Sequence, residues 1–343
     1  MVPALAVADA LRADGARVVF VGGQRAEAEL VPAAGYELRR IGVEGLSRTN
    51  PLKAARAVGR AAGAVASARR ILRELRPGAV LGAGGYVAGP VGLAAVLHRT
   101  PLVLAEADSH LGLANRLLAG RARRVCLAFP LPGRDGARYV VTGRPVPPPA
   151  TDRAAARQRF GLPDGETCVL IFGGSLGARS VNEAAVEAFA ARSVRVLHAC
   201  GTRDFAALRA RLDALGADRV RYELRPYIDG FAEALLACDL VVARSGGSVF
   251  EIAAHGRPAI LVPYPHATAD HQTSNAAWMA RAGAAVVVSD ADLDAARLAR
   301  EVDGLVGDPA RLAAMARASA DLARPDAARA VAAEVLAAAG ASA

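Results

Sequence analysis

Short, uninterrupted apolar runs alternate with alanine-rich stretches along almost the whole chain. Runs such as Leu102–Glu106 and Cys168–Phe172 are apolar at nearly every position rather than at every second one. Continuous hydrophobicity is typical of strands that are buried on both faces, as in parallel sheets covered by helices. Repeated β-α units of this kind predict a doubly wound α/β fold. The runs predicted to be strands are Val18–Gly22, Ala79–Gly82, Leu102–Glu106, Arg124–Ala128, Tyr139–Thr142, Cys168–Phe172, Val194–Cys200, Val220–Glu223, Leu240–Ala243, Ala259–Val262 and Ala284–Val288.

A proline-rich segment divides this series in two. The stretch Arg144–Pro149 reads Arg-Pro-Val-Pro-Pro-Pro, which is typical of a stiff linker between domains. A chain of 343 residues is also long enough for two domains. We therefore expect an α/β protein of two Rossmann-like, doubly wound parallel-sheet domains that face a cleft. The first comprises residues 1–146 and the second residues 147–343, and the last helix could pack back on the N-terminal domain. In such sheets, ligands bind beyond the carboxyl ends of the strands.

Positive charge is concentrated in the first half of the chain. Residues 1–150 hold 21 of the 42 Lys and Arg residues but only 10 of the 33 Asp and Glu residues. Such an excess suits an anionic partner, such as a membrane surface, a phosphorylated lipid or nucleic acid. The sequence contains no recognised nucleic-acid reader motif, so we do not expect a nucleic-acid partner.

Part of this charge lies in residues 51–76, among Ala, Val, Ile and Leu. The pattern is typical of a basic amphipathic helix that lies on an anionic membrane. A solvated helix on the surface of a domain is the alternative. The basic residues of the stretch are Lys53, Arg56, Arg60, Arg69, Arg70, Arg73 and Arg76.

A glycine-rich turn follows the predicted strand Cys168–Phe172. It reads Gly-Gly-Ser-Leu-Gly-Ala-Arg and leads into a predicted helix. Glycine lets the backbone come close to a ligand, and the free N–H groups at the start of a helix favour a diphosphate. Ser175 could add a hydroxyl donor. The alternative is a simple strand–helix turn with Ser175 as its N-cap.

A second glycine-rich turn, Gly82–Pro90, also follows a predicted strand. It partly matches the dinucleotide fingerprint G-x-G-x-x-G, with Glu106 as a possible ribose ligand at the end of the next strand. Val87 stands where that fingerprint has its third glycine or an alanine. The sequence therefore favours an anion-binding turn over an NAD site.

Polar residues follow two further predicted strands. Glu251 is expected about one turn inside the helix that follows Leu240–Ala243, where a carboxylate can accept hydrogen bonds from a ribose diol. The alternative is a glutamate that the helix macrodipole stabilises. The later loop holds His266, Asp270 and His271 but lacks the helical spacing of a metal site, so recognition of a sugar is favoured.

Together these segments resemble the MurG family of glycosyltransferases. The similarity covers nearly the whole chain, in the order V-P-A-L-A-V-A-D-A-L, V-E-G-L, G-G-Y-V-A-G-P-V-G-L-A-A, G-L-A-N-R-L-L-A, V-T-G-R-P-V, G-G-S-L-G-A-R-S-V-N, E-I-A-A-H-G-R-P-A-I-L-V-P and D-H-Q-T-S-N-A. Members transfer N-acetylglucosamine from UDP-GlcNAc to undecaprenyl-diphosphate-linked muramoyl-pentapeptide, which converts lipid I to lipid II in peptidoglycan synthesis. The resemblance implies a GT-B fold and an inverting transfer with no metal or other cofactor. It also implies a peripheral protein at the cytoplasmic face of the cell membrane.

The resemblance implies a donor site mainly in the C-terminal half and an acceptor site in the N-terminal half. Ser175 would hold the UDP phosphates, Ile228 would lie beside uracil, and Glu251 would take the ribose hydroxyls. The other implied donor-site residues are Ser248, Val249, Phe250, His271, Gln272, Asp108 and Arg144. The acceptor diphosphate would lie on the turn that contains Gly84, Gly85, Tyr86 and Gly89.

The sequence also departs from the family pattern. Met1 falls just after the place of the family's N-terminal strand and its G-G-T-x-G-H turn, whose histidine is a candidate general base. We expect either a start codon further upstream or a natural truncation, and we assign no general base. Asp108 stands where asparagine is usual, and Pro147 replaces an arginine for which Arg144 could compensate.

Three other functions are compatible with these motifs. A glycosyltransferase of the same fold could use another lipid acceptor, such as a diacylglycerol. A nucleotide-sugar epimerase shares the fold but needs neither a lipid nor a basic N-terminal half. A non-catalytic protein that binds UDP-sugars or lipid-linked precursors is the third alternative.

Overall fold

The computed structural model describes residues 1–42, 51–174, 177–267 and 270–340, with only the backbone given for residues 51–61. The chain forms two compact units. The first is Met1–Pro147 together with Arg324–Ala343, and the second is Pro148–Ala323.

The strands are short and mostly buried. In chain order they are β1 (Val19–Gly22), β2 (Glu37–Arg40), β3 (Val80–Gly82), β4 (Leu102–Glu106), β5 (Arg124–Leu127), β6 (Tyr139–Val141), β7 (Cys168–Phe172), β8 (Arg195–Ala199), β9 (Tyr222–Arg225), β10 (Leu240–Ala243), β11 (Ala259–Leu261) and β12 (Ala285–Val287). Each of the predicted strands is present, with ends that differ by at most two residues. The sequence did not predict β2, because Glu-Leu-Arg-Arg has no continuous apolar run.

The helices fill the intervals between the strands. In chain order they are α1 (Val2–Ala13), α2 (Glu27–Ala33), α3 (Pro51–Leu75), α4 (Gly85–His98), α5 (Leu113–Leu118), α6 (Arg153–Arg159), α7 (Arg179–Phe189), α8 (Phe205–Ala214), α9 (Phe231–Ala237), α10 (Val249–Ala254), α11 (His271–Arg281), α12 (Ala295–Val306), α13 (Pro309–Asp321) and α14 (Ala327–Gly340). Within the described ranges, none of these helices has both the length and the apolar character needed to cross a bilayer.

The first unit contains two separate parallel sheets among its described residues. Strands β1 and β2 form one, and the other has the order β3-β4-β5-β6. Helix α14 packs on α1, β4 and β5, so the end of the chain returns to this unit. Val331 and Val335 of α14 lie in one core with Val7 and Leu11 of α1. The Arg124 guanidinium also lies 3.0 Å from the Glu334 carboxylate.

The second unit is built on one parallel sheet of six strands, in the order β12-β11-β10-β7-β8-β9. The chain runs outward from β7 through β8 to β9, then returns to β10 and runs the other way to β12. The strand order therefore reverses between β7 and β10. In open α/β sheets, the carboxyl ends of strands at such a reversal are the usual ligand site.

Candidate functional site

Two glycine-rich turns leave the sheet of the second unit at the same edge. Phe172, the last residue of β7, is paired with Ala243, the last residue of β10. The turn after β7 begins at Gly173, and the turn after β10 begins at Arg244. The structure therefore places both turns at the point where the strand order reverses.

The turn after β7 can be made only with glycine at two positions. A Cβ on Gly173 would lie 2.3 Å from the Cβ of Ala178. At Gly177, φ is +77°, and a Cβ would lie 2.1 Å from the carbonyl oxygen of Cys200. The Gly177 N–H donates to the Gly174 carbonyl at 3.0 Å and closes the turn. Ser175 lies outside the described residues, so its role stays a prediction.

A buried polar network fixes the helix that follows this turn. The side chain of Asn182 in α7 is fully buried, and its Nδ2 donates to the Cys200 carbonyl at 2.9 Å and to Asp204 Oδ2 at 3.2 Å. Its Oδ1 lies 3.1 Å from His198 Nε2. The other ring nitrogen, Nδ1, lies 2.8 Å from the Tyr222 hydroxyl.

Burial lowers the pKa of His198 to about 3, so the imidazole is neutral at ordinary pH. An amide oxygen can only accept, and Nε2 therefore carries the proton while Nδ1 accepts from Tyr222. No motif singles out His198, because its partners lie on α7 and β9.

The second turn is anchored by a buried arginine that sequence reasoning did not assign to the site. The guanidinium of Arg244 donates to the carbonyls of Val262 and Pro263 at 3.2 and 3.1 Å. It also donates to Ser180 Oγ at 2.7 Å and pairs with Asp290 at 2.6 Å. Burial acts to raise the pKa of Asp290, but hydrogen bonds from Ser180 and Arg244 outweigh it and lower this pKa. Arg244 thus joins the end of β10 to the end of β11 and to the first turn of α7.

The start of α11 lies against the same turn. Ser245 Oγ donates to the Gln272 carbonyl at 2.7 Å, and Asn275 Nδ2 donates to the Ser245 carbonyl at 3.0 Å. The Gln272 side-chain oxygen accepts from the Tyr264 N–H at 3.0 Å. A Cβ on Gly246 would lie 3.9 Å from Gln272 Nε2. The structure therefore brings Gln272, a predicted donor-site residue, beside the turn that precedes Ser248.

The other predicted donor-site residues of this unit differ in exposure. Glu251 is half-buried in the first turn of α10, whereas the side chains of Ile228, Val249 and Phe250 are buried. The Phe250 ring packs 5.1 Å from the Trp278 ring. Buried side chains leave mainly the backbone to contact a ligand at these three positions. His271 is half-buried at the start of α11.

In the first unit, Gly84 and Gly85 form the start of α4 with φ values of +81° and +78°. Within the described part of the chain, a Cβ at either position would meet no atom within 4 Å. These glycines are therefore required by backbone conformation rather than by lack of space. Tyr86 follows them and donates its hydroxyl to Glu27 Oε1 at 2.9 Å. Gly89 lies one turn further along α4 and faces Ala114 of α5.

Glu106, considered above as a ribose ligand in a dinucleotide site, holds its own loop instead. Its carboxylate accepts from the N–H groups of Asp108 at 3.2 Å and Gly112 at 2.8 Å, and from Asn115 Nδ2 at 2.9 Å. Arg144 Nη1 donates to the Ala107 carbonyl at 3.3 Å. The structure thus brings Asp108 and Arg144 together within the first unit.

The loop before α11 has local contacts among the residues that the structure describes. The Tyr264 and His266 rings lie 5.6 Å apart, and Thr273 Oγ1 donates to Asp270 Oδ1 at 2.6 Å. Across the described ranges, no three His, Cys, Asp or Glu side chains converge as ligands for a metal ion.

Comparison with known proteins decides the family. Residues 1–127 match the N-terminal domain of glycosyltransferase family 28, and residues 168–331 match its C-terminal domain. The N-acetylmuramyl-(pentapeptide) pyrophosphoryl-undecaprenol N-acetylglucosamine transferase of Moorella thermoacetica is 41% identical over 347 residues, covering 96% of this chain and 93% of the relative. The crystal structure of Acinetobacter baumannii MurG superposes with a TM-score of 0.80 at 31% identity, covering 98% of this chain and 95% of that one.

The chain belongs to the MurG family.

Membership of the MurG family confirms the resemblance drawn from the sequence motifs. The GT-B fold is confirmed as well, because the calicheamicin glycosyltransferase CalG4 has the same fold with a TM-score of 0.71 at 19% identity, covering 99% of this chain and 95% of that one. The roles of the individual MurG site residues stay predictions.

Proposed function

We propose that this chain transfers N-acetylglucosamine from UDP-GlcNAc to undecaprenyl-diphosphate-linked muramoyl-pentapeptide, converting lipid I to lipid II in peptidoglycan synthesis. The observation that carries the proposal is the 41% identity to the Moorella thermoacetica transferase over 96% of the chain. The reversal of strand order between β7 and β10, with a glycine-rich turn after each strand, supports a nucleotide-sugar site in the second unit.

The UDP diphosphate is proposed to lie at the start of α7. This helix has eleven residues and begins at Arg179, shortly after Gly177 of the glycine-rich turn. The N–H groups in the first turn of a helix have no partner within the helix and favour a phosphate. Ser175 would add a hydroxyl donor to the same phosphates. Ser248, Val249 and Phe250, at the start of α10, would frame the diphosphate from the other side of the site.

The nucleoside and the sugar are proposed to contact other residues of the second unit. Ile228 would contact uracil through its backbone, because its side chain is buried. Glu251 would accept hydrogen bonds from the ribose hydroxyls. His271 and Gln272 would read the GlcNAc hydroxyls, and Gln272 already lies beside Gly246. Asp108 and Arg144 are also proposed as donor-binding residues.

The transfer is proposed to invert the configuration of the anomeric carbon. The acceptor hydroxyl oxygen forms a bond to that carbon while the bond to the UDP oxygen breaks, and the hydroxyl proton passes to a general base. Negative charge that develops on UDP is stabilised by the N-terminus of α7. The lipid-linked acceptor would place its diphosphate at Gly84, Gly85, Tyr86 and Gly89.

An anionic membrane surface is the proposed location of the protein, at the cytoplasmic face. Helices α4 and α5 pack together, and each exposes two leucines that lie four positions apart in the sequence. These four leucines are called the leucine surface of the first unit. Its members are Leu93 (42% exposed), Leu97 (52%), Leu113 (49%) and Leu117 (72%). Exposed arginines on the same and adjacent segments are Arg69, Arg70, Arg73, Arg76, Arg99, Arg116, Arg121 and Arg123. Exposed apolar side chains on helices that also carry exposed basic residues favour binding in the headgroup region of anionic lipid. The side chains of Lys53, Arg56 and Arg60 lie outside the described residues.

Product analysis tests the proposal. The protein is incubated with UDP-GlcNAc and a lipid I analogue, and released UDP and the lipid product are quantified. We expect UDP release that depends on the analogue, with one disaccharide formed per UDP. An epimerised sugar, transfer to diacylglycerol alone, or binding of UDP-GlcNAc without conversion would each contradict the proposal and favour one of the alternatives.

A further inference from the structure

The carboxylate of Glu27 connects two segments that are far apart in the sequence. Glu27 is the first residue of α2 and is only 9% exposed. Its Oε1 accepts from the Gly23 N–H at 2.9 Å and from the Tyr86 hydroxyl at 2.9 Å. Gly23 directly follows β1, and Tyr86 lies in the first turn of α4. Glu27 thus joins the end of β1 to the start of α4.

This contact involves a charged acceptor. Burial acts to raise the pKa of the Glu27 carboxyl. Hydrogen bonds from the Glu27 backbone, the Tyr86 hydroxyl and the Gly23 backbone act the other way, and the net effect lowers this pKa. Burial and the Glu27 carboxylate in turn raise the pKa of Tyr86, so its hydroxyl stays protonated as the donor. A hydrogen bond to an ionised oxygen is about twice as strong as one between neutral groups.

The packing around Tyr86 leaves little freedom for the ring. A Cβ on Gly23 would lie 2.5 Å from the Tyr86 hydroxyl oxygen, and a Cβ on Gly22 would lie 2.9 Å from Glu27 Cγ. The guanidinium carbon of Arg25 lies 4.5 Å from the centre of the Tyr86 ring. Glu27 and Arg25 therefore hold the Tyr86 side chain at its hydroxyl and at its face.

The hydrogen bond between Tyr86 and Glu27 matters because the two glycines before Tyr86 give the backbone high conformational freedom. Gly84 and Gly85 have positive φ angles and open space at the Cβ position, and glycine has the largest conformational freedom of any residue. Without an outside contact, the first N–H groups of α4 would sample many orientations. A hydrogen bond from Tyr86 to a buried carboxylate restricts them.

We propose that Glu27 is a positioning residue for the start of α4, where the acceptor diphosphate is proposed to bind. It acts through the hydroxyl of Tyr86. The proposal rests on the proposed function, because it takes Gly84, Gly85, Tyr86 and Gly89, at the start of α4, as the site of the acceptor diphosphate. It concerns affinity for the lipid-linked acceptor and leaves the donor site of the second unit unaffected.

The test compares Glu27→Ala, Glu27→Gln and Tyr86→Phe in steady-state transfer from UDP-GlcNAc to a lipid I analogue. We expect E27A and Y86F to raise KM for the acceptor about tenfold, since each removes a charge-assisted hydrogen bond, and to leave KM for UDP-GlcNAc within about twofold. E27Q keeps a carbonyl oxygen that can accept from Tyr86, so its effect is expected to be smaller than that of E27A. Glu29→Gln, at an exposed position of the same helix, is the matched control.

Three further measurements separate positioning from general stability. The double variant E27A/Y86F is expected to have an acceptor KM no higher than that of the worse single variant, because both changes remove the same contact. Calorimetric titration with the lipid I analogue, without donor, is expected to show the same order of Kd values. Thermal unfolding of each variant shows whether it folds. If E27A does not fold, E27Q and Y86F still test the proposal.

The possible outcomes have different consequences. If Y86F weakens acceptor binding while E27A and E27Q behave like E29Q, the turn binds the acceptor but Glu27 does not position it. If E27A and Y86F are additive, Glu27 does not act through Tyr86, and the proposal is wrong. If none of the variants changes KM or Kd for the acceptor, the acceptor role of the turn is wrong and the proposal is wrong with it.

Discussion

His198 Nε2 donates to Asn182 Oδ1 across 3.1 Å, and both side chains are fully buried. This bond ties β8 to the helix that follows the glycine-rich turn of the second unit. Because Asn182 also donates to the Cys200 carbonyl, a single amide group bonds both the imidazole and the backbone beside Gly177. The proposed diphosphate site thus depends on a polar contact in the interior of the unit.

Replacing Asn182 with alanine is expected to lower the free energy of unfolding by about 2–4 kcal/mol. The change leaves the Cys200 carbonyl and His198 Nε2 buried without partners, and each such group costs about 1–3 kcal/mol. Urea denaturation followed by circular dichroism measures the loss. Glu183→Gln, at an exposed position of the same helix, is the control and should unfold within about 0.5 kcal/mol of the parent. Equal stabilities for N182A and the control would contradict the network.

Acidification is expected to destabilise the second unit through His198. Burial lowers the pKa of His198 from its ordinary 6.5 to about 3, so below pH 6.5 the unfolded chain takes up a proton that the folded protein does not. The stability from this histidine is present above pH 6.5 and is lost progressively as the pH falls toward 3.

Between pH 6.5 and pH 5, the contribution amounts to about 2 kcal/mol. Urea denaturation at the two pH values measures the loss for the parent and for His198→Gln. The variant is expected to be less stable at pH 6.5 but to show a smaller loss between the two values. The same pH dependence in both proteins would show that His198 is not the responsible group.

Gly177→Ala is expected to be far more damaging than alanine at another glycine of the same unit. A Cβ at position 177 would lie 2.1 Å from the Cys200 carbonyl oxygen, which requires the turn to move. Gly216 also has a positive φ, +68°, but in the described structure a Cβ there would meet no atom within 4 Å. Gly216→Ala should therefore cost only about 1 kcal/mol, from backbone strain alone. We expect G177A to lower UDP affinity at least tenfold, whereas G216A should leave it unchanged; similar Kd values from calorimetry would contradict the geometry.

Arg244→Lys is expected to destabilise the second unit and raise KM for UDP-GlcNAc. Lysine has one ammonium group and cannot reproduce the fork that reaches Ser180, Asp290 and the two backbone carbonyls just after β11. Removing one partner of a buried ion pair costs about 3–5 kcal/mol. Because lysine keeps the positive charge and Asp290 is partly exposed, we expect a loss below that range. Thermal unfolding and steady-state kinetics measure the two effects. Arg300→Lys on the exposed face of α12 is the control, and an R244K variant indistinguishable from it would refute the role of Arg244.

Glutamate at Leu97 and Leu117 is expected to abolish binding to anionic vesicles. The double variant removes apolar side chains that are 52% and 72% exposed and adds two negative charges. Burying one leucine contributes about 1.5–3 kcal/mol, so we expect at least a tenfold loss in co-sedimentation at low salt. Val220→Glu, at a 67% exposed apolar position of the second unit, is the control. Undiminished sedimentation of the double variant would place the membrane contact elsewhere.

Much of the fold could be predicted because its strands are continuous apolar runs. Cys168–Phe172 and Leu240–Ala243 are buried, and a strand that is buried on both faces has an apolar residue at every position. β2 has no such signal, because Glu-Leu-Arg-Arg is a charged strand paired only with β1 in the described structure. Element boundaries and the split of the first unit into two sheets depend on pairings that hydrophobicity does not encode.

The site was predictable where chemistry is local and unpredictable where partners are distant. The glycine-rich turns at Gly84 and Gly173 are visible as sequence motifs, and the structure places both directly before helices. The contacts that hold the turns of the site join residues far apart in the chain, as Arg244 and Asp290 do beside the turn after β10. No spacing in the sequence indicates that Glu27 reaches Tyr86.

The central claim is tested most directly by product analysis after incubation with UDP-GlcNAc and a lipid I analogue. Mass spectrometry of the lipid fraction is expected to show one added N-acetylhexosamine per molecule, with an equal amount of UDP released. UDP-GlcNAc and lipid I recovered unchanged, under conditions where calorimetry shows that both bind, would contradict the assignment as a transferase.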